Sequence, residues 1–296
     1  MPWWQSNKPI CWRRWLMVSK TPTITIRDCL TRRHLPRMET SILLGKVLGR
    51  SREWLLTHDD ESLAESDQAA YLKLEERRIQ GEPIAYLVGQ REFMSLPFLV
   101  DASVLIPRPD TELLVEVALD ALSPLACPKV LDLGTGSGVI AVCLAKARPD
   151  AQIVATDVSE PALSIARLNA KQLGGTVEFL AGPWFGALTQ GPLFDVIVSN
   201  PPYIHPQDAH LAEGDLRFEP RGALTDEING LEPYDIIIAE AGHWLKPGGW
   251  LWLEHGYDQP EAVTDRLRQA GFSEIKTFHD VAGQPRVSGG SYNVGS

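Results

Sequence analysis

Apolar and polar positions begin to recur at helical spacing from Ile24 onward. Ile42, Leu43, Val47 and Leu48 make one apolar face, which Gly49 closes as a C-terminal glycine does. Ser66 is placed to cap a second helix through Ala69, Leu72, Lys73 and Glu76 to Gln80, with Gly81 at its end and Pro83 just beyond. The pattern predicts a small helical domain over residues 23–83, suited to docking a substrate or to simple stabilisation. Between Ile84 and Leu105 it shifts to short extended pieces broken by Gly89 and Pro97. A hairpin-like connector over residues 84–105 follows, with the domain boundary in it.

A second domain is expected over residues 106–296. Two prolines in Ile106-Pro107-Arg108-Pro109 fix an extended lead-in, and either Asp110 or Thr111 is placed to cap an apolar helix from Glu112 to Leu122. Short apolar runs then alternate with helical stretches. Val130 to Leu133, Ala151 to Thr156, Val177 to Leu180, Phe194 to Ser199 and Trp250 to Glu254 read as strands. Val139 to Ala147, Pro161 to Leu173, Tyr234 to Leu245 and Pro260 to Ala270 read as helices. That order predicts an α/β fold, a doubly wound and mostly parallel Rossmann-like sheet with helices on both faces. Ile275 to Asp280 and Val287 to Val294, on either side of Gly283-Gln284-Pro285, predict a terminal hairpin with antiparallel strands on one edge.

Three strand ends carry the candidate chemistry. The first opens into Gly134-Thr135-Gly136-Ser137-Gly138 before a helix, the strand, glycine loop and helix of a nucleotide-type cofactor site. Its spacing is G-x-G-x-G, not the dinucleotide G-x-G-x-x-G. The next strand ends in Asp157, about 20 residues on, where a carboxylate accepts from ribose hydroxyls in doubly wound folds. The third is Asn200-Pro201-Pro202-Tyr203. Proline has no N–H, so this edge offers carbonyl oxygens, joined by that of the Asn200 side chain, while Tyr203 brings an aromatic face. One reading is a clamp for a planar NH₂ group, on an amide or on adenine; the other is a proline-rich turn.

Taken together, these stretches resemble the class I S-adenosylmethionine-dependent methyltransferases. Within that class the chain is similar to the protein-(glutamine-N5) methyltransferases of peptide chain release factors, the HemK or PrmC family. The likeness runs from about Arg37 to near the C-terminus, most specifically in Arg91-Glu92-Phe93, Ile106 to Glu112, the glycine loop, Asn200 to Ile204 and Arg217-Phe218-Glu219-Pro220. It implies methyl transfer from S-adenosyl-L-methionine to the glutamine amide nitrogen in the Gly-Gly-Gln segment of class 1 release factors. By the same resemblance, Gly134, Thr135, Gly136, Ser137, Gly138 and Asp157 contact the methyl donor. Trp184 lies near its adenine and Asn200 touches it as well. Asn200, Pro201, Pro202 and Tyr203 hold the substrate glutamine, with Asn200, Pro201 and Tyr203 taking part in catalysis. Arg108, Thr111 and Glu112 border the donor pocket. The chain departs from the family at Pro183, where an acidic residue commonly precedes the aromatic. Glutamine methylation on a ribosomal protein, adenine N6-methylation of nucleic acid, and non-catalytic binding of a methyl donor are the alternatives.

Charge narrows these readings. A net charge of −10 and a pI near 5.2 disfavour a sequence-independent grip on nucleic acid, which needs clustered Lys and Arg. Arg13, Arg14, Arg27, Arg32, Arg33, Arg37 and Arg50 make the first 50 residues locally basic, a solvated helix face or a contact to RNA or an acidic partner. Residues 1–22 carry Trp3, Trp4, Trp12 and Trp15 without a clean period. They are expected to be an atypical extension. Either the start is mis-assigned, with Met17 or Met38 as the real one, or the segment touches a membrane surface or RNA. Cys11, Cys29, Cys127 and Cys143 form no C-x-x-C pair, and His205, His210, His243 and His255 fall into no metal-binding spacing. His255 reads as a strand end, not a general base. Free thiols, no metal, no membrane span, a cytoplasmic address and a monomer without stably bound nucleic acid are expected.

Overall fold

The computed structural model describes residues 24–32, 34–189 and 193–293. The expectations for residues 1–22, including Cys11, Arg13, Arg14 and a start at Met17, lie outside them, as do those for Arg33 and Val294. The chain divides into two compact units between Gln80 and Gly81.

Among its described residues the first unit holds four helices, α1 (Ile26–Thr31), α2 (Arg37–Leu48), α3 (Arg52–Thr57) and α4 (Glu65–Ile79). Pro36 at the N-cap of α2 divides the apolar stretch from Ile24 into two helices, and Gly49 ends α2 in the left-handed conformation. Thr25 and Asp28 close a capping box on α1, so Met38 is internal to a folded helical region. Ser66 is not a cap. The N-cap lies two residues earlier, at Ala64, with Glu65 and Asp67 in the first turn facing the positive end of the dipole. Leu43, Leu44, Leu55 and Tyr71 form the buried centre, and Glu39 of α2 receives both arms of Arg78 of α4 at 2.8 Å.

The second unit starts with a short helix, α5 (Ile84–Val88), where the sequence suggested only extended pieces. Pro83 at its N-cap and left-handed Gly89 at its C-cap set its single turn. The hairpin follows as β1 (Gln90–Phe93) and β2 (Leu96–Leu99), turning through Met94 and Ser95, both at positive φ.

The main sheet comprises β3 (Lys129–Leu133), β4 (Gln152–Asp157), β5 (Glu178–Ala181), β6 (Phe194–Ser199), β7 (Leu245–Glu254), β8 (Phe272–His279) and β9 (Pro285–Tyr292). Their order is β5-β4-β3-β6-β7-β9-β8, parallel except for β9, which runs antiparallel to both neighbours. Both faces are covered, so alternate residues enter two cores. Val130, Val196, Val198 and Trp252 pack with α6 (Asp110–Leu122) and α7 (Val139–Ala147). Leu131, Leu133, Ile197, Leu251 and Leu253 pack with α9 (Glu232–Trp244) and α10 (Pro260–Gln269), while α8 (Glu160–Leu173) follows β4. From β3 the chain winds outward through β4 and β5, then returns to place β6 on the other side. That reversal is the topological switch point where open α/β sheets bind ligands, outside the strands' C-terminal ends.

Neither Asp110 nor Thr111 caps α6. Pro109 holds the N-cap position with helical φ, which leaves both side chains free for tertiary partners. Asp110 pairs with Arg286 of β9 at 3.1 Å, and Thr111 turns to the end of β6.

Candidate active site

A cavity of about 340 Å³ opens at the switch point, walled by the loops after β3, β4 and β6 and by the segment leading into α6. Its size suits a nucleoside-sized ligand. Gly134, Gly136 and Gly138 all take positive φ, but they do different work. A Cβ on Gly136 would meet nothing within 4 Å, so this is the glycine whose bareness leaves room in the cavity. A Cβ on Gly138 would stand 3.0 Å from the Cβ of Ala166, so that glycine lets α7 lie close to α8 and does not line the cavity. Gly134 sits under the Trp184 ring, 3.3 Å from where its Cβ would be.

Asp157 sets the loop's shape. Its Oδ2 accepts from the Gly136 N–H and its Oδ1 from the Ser159 N–H, each at 2.8 Å. The carboxylate therefore ties the ends of β3 and β4 together while its remaining lone pairs face the cavity wall. Beneath the loop, Asp132 is fully buried. It accepts from the Thr135 hydroxyl at 2.6 Å and from the Ala141 N–H, and its Oδ1 has no partner. Burial pushes its carboxyl up to about 7 against those two hydrogen bonds. Trp184 follows Pro183 with φ at +44°, a left-handed non-glycine residue held by the Thr156 hydroxyl on its carbonyl at 3.0 Å. Its ring lines the cavity, as does Pro183.

Asn200 stands at the C-terminal end of β6 and donates from Nδ2 to the Thr111 hydroxyl at 3.1 Å. With Nδ2 so engaged, Oδ1 is the acceptor left for a ligand. Pro202 joins Asn200 on the cavity wall, whereas Pro201 is buried and does not line it. Tyr203 does not line it either; its ring packs on the core beside Tyr234, and its phenol is pushed up by burial. Behind the clamp stands Glu254, the last residue of β7. It is fully buried, and burial lifts its carboxyl to about 7. The hydroxyls of Thr111 and Tyr203 face that carboxyl and oppose the rise, yet neither completes a hydrogen bond, and both carboxyl oxygens are unpartnered.

The opposite wall joins two segments far apart in sequence. Glu219, its side chain wholly buried, accepts from the Ile106 N–H at 2.9 Å and from the Arg108 guanidinium. Burial raises its carboxyl, with Arg108 working against the rise. Arg108 and Thr111 line the cavity with Pro220, Gly222 and Ala223. Glu112 does not, since it accepts from the Met94 N–H at 2.8 Å and holds the β1–β2 turn. Glu219→Ala would leave Arg108 and the Ile106 N–H without their acceptor. The expected loss is roughly 2 kcal/mol of stability, seen as a lower denaturant midpoint, because Arg108 is only partly buried. An unchanged midpoint would show that this pair does not hold the wall.

Of the residues singled out in the sequence, the cavity gathers Gly134, Thr135, Gly136, Ser137, Asp157, Trp184, Asn200, Pro202, Arg108 and Thr111. Sequence reasoning missed Asp132, Glu219 and Glu254 as members of the site. Glu254 had a visible signal, an acid closing an apolar strand level with the Asn200 strand end. Val158, 76% exposed beside Asp157, also belongs to the wall and carried none. Among the described residues no cluster of His, Cys, Asp or Glu is placed to hold a metal ion, and no helix is long and apolar enough to cross a membrane. His255 is buried between the Gly256 carbonyl and the Ser288 hydroxyl, away from the cavity wall.

Comparison with known proteins agrees with this arrangement. Residues 25–89 match the family model described as the PrmC N-terminal domain, and residues 109–215 the methyltransferase small domain. The chain is 54% identical over 265 residues to a release factor glutamine methyltransferase of Bordetella pertussis, covering 90% of this chain and 98% of that one. It is 51% identical over 278 residues to one of Burkholderia pseudomallei, covering 92% and 98%. A methyltransferase structure from Pyrococcus furiosus, 19% identical, superposes with a TM-score of 0.51 over 75% of this chain and 99% of that chain, a likeness of fold.

Proposed function

Because the chain belongs to the family of release factor glutamine methyltransferases, we propose that it transfers a methyl group from S-adenosylmethionine to the side-chain amide nitrogen of the glutamine in the Gly-Gly-Gln segment of class 1 release factors. The observation that carries this reading is the Asn200 side chain at the cavity wall, its Nδ2 given to Thr111 and its Oδ1 left to accept. The cavity fits the cofactor by its chemistry: bare Gly136, the Asp157 carboxylate in the ribose position, and apolar walls including Trp184 and Val158. When bound, S-adenosylmethionine supplies an electrophilic methyl on a sulfonium whose sulfur leaves as a neutral thioether.

The chain's own residues have to make a poor nucleophile attack. An amide nitrogen shares its lone pair with the carbonyl, and it becomes reactive only when its plane is fixed and its developing positive charge is met. Asn200 Oδ1 on the cavity wall and the main-chain carbonyl of Pro201, between the two lining residues Asn200 and Pro202, are the acceptors we assign to the two amide N–H bonds. Both oxygens carry partial negative charge where positive charge grows, the arrangement that lowers a barrier most in a site closed to water. The nitrogen then loses one proton to solvent, so no strong base is needed. We place the reaction in the cytoplasm, with the enzyme acting as a monomer.

Labelled methyl transfer to a purified release factor, a ribosomal-protein preparation and duplex DNA, run in parallel, tests this. Label is expected in the release factor and lost when its Gly-Gly-Gln glutamine is replaced. Label confined to DNA or to ribosomal protein would overturn the substrate.

A further inference from the structure

Glu254 has no role in the reaction as derived, and both its buried carboxyl oxygens lack a partner. Its place follows from the sheet. Ser199 of β6 pairs with Leu253 of β7, so Asn200 and Glu254 are the next residues along two adjacent parallel strands. Val198 and Trp252 both enter the core beneath α6, and with a period of two Asn200 and Glu254 follow them to that same face. The first turn of α6 lies there and presents Thr111, which already receives Asn200 Nδ2. A hydroxyl that accepts from an amide N–H has its own proton to give, and Glu254 faces it with two unpartnered oxygens. A buried carboxyl without partners is costly, which is a reason to look for what it serves.

We propose that Glu254 is a positioning residue for methyl transfer: by accepting from the Thr111 hydroxyl it fixes the Asn200 amide with Oδ1 toward the cavity and polarises it along Nδ2. The inference rests on the reading that Asn200 holds the substrate amide. In the chain Glu254, Thr111, Asn200, each member donates toward the carboxylate, so negative charge at Glu254 strengthens Oδ1 as an acceptor when the glutamine nitrogen becomes cationic. Hydrogen bonds of this kind are often open without substrate and close on binding. Tyr203 faces the same carboxyl from the turn after β6. The charged groups around it are Asp110 on α6, which raises its pKa, and Arg286 on β9, which lowers it. From α9, the Tyr234 hydroxyl donates to the Glu254 main-chain carbonyl at 3.0 Å. Neighbouring His255 turns to Gly256 and Ser288, and burial disfavours its charged form.

The sign of the pH dependence is fixed. The carboxylate is the accepting form, so turnover rises with pH through about 7 and then levels. Stability moves the other way. Between the usual glutamate range and about 7 the folded protein keeps a proton that the unfolded chain has lost, so stability falls as pH rises through that window. Glu254→Gln removes both effects.

The test measures turnover of a class 1 release factor against pH, at saturating S-adenosylmethionine, for wild type, Glu254→Gln, Thr111→Val and Asn200→Ala, with thermal midpoints at about pH 5 and pH 8. Glu254→Gln is expected to lower kcat about tenfold above neutrality and abolish its rise through about 7, while KM stays near wild type. Its thermal midpoint at about pH 8 is expected to be no lower than wild type. Thr111→Val, which removes the link, is expected to lose the same pH dependence. A wild-type pH profile in either variant overturns the proposal, as does a fall in kcat that leaves the rise through about pH 7 in place. An active Asn200→Ala would instead defeat the underlying reading of the clamp. An inactive one beside a normal Glu254→Gln would defeat this proposal alone.

Discussion

Asn200→Ala is expected to lower kcat by at least about 10³-fold, roughly 4 kcal/mol, while S-adenosylmethionine still binds. The substitution deletes Oδ1, the acceptor aimed into the cavity, and releases Thr111 from its 3.1 Å contact. It leaves the glycine loop and Asp157 untouched, since their mutual bonds do not pass through β6. Asn200→Asp sharpens the test. Its carboxylate keeps an oxygen but loses the N–H that Thr111 receives, and it brings a second carboxyl beside Glu254. It too should be inactive. Single-turnover methyl transfer together with calorimetric titration of the cofactor separates the two effects. Turnover within tenfold of wild type in the alanine variant would sink the assignment of Asn200 to the substrate amide.

Asp157→Ala is expected to weaken S-adenosylmethionine binding about a hundredfold, about 2.7 kcal/mol. Part of that loss is the direct contact expected to the ribose. The rest comes from the loop, because Asp157 holds the Gly136 and Ser159 N–H groups at 2.8 Å each, and both are charge-assisted bonds. Without the carboxylate those donors turn to water and the cradle is no longer set before the ligand arrives. Asp157→Asn, of the same shape, should lose less than alanine because its carbonyl oxygen can still accept from one of the two. A calorimetric Kd within twofold of wild type for the alanine variant would show that the ligand does not rest on this residue.

Much of this was legible along the chain because the signals are local. Glycine at positive φ after an apolar run, proline without an N–H after another, and an acid ending the strand between them are each written in a few neighbouring residues. The parallel sheet and the terminal hairpin follow from periodicity in the same way, but the buried face of α2 does not: Ile42 is exposed, while Thr40, Ser41, Leu43 and Leu44 turn inward. The misread caps had a different cause. Ser66, Asp110 and Thr111 are good capping residues in isolation, but Ala64 and Pro109 hold the N-cap positions and the last two side chains found partners elsewhere. Tyr203 shows the same override. A sequence places an aromatic after the prolines; only packing decides that its ring turns to the core and its hydroxyl toward Glu254.

The sequence by itself determined the fold class, the strand ends that carry chemistry and the family resemblance, since each depends on residue type at short spacing. Tertiary structure alone decided which distant residues meet. Glu219 reaches Ile106 and Arg108 across more than a hundred residues, and Thr111 bridges Asn200 toward Glu254 from a third element. Burial that lifts Asp132 and Glu254 to about 7 likewise has no local signature. A carboxyl's pKa and a side chain's partner depend on what the fold packs around them, and neighbours along the chain carry no record of neighbours in space.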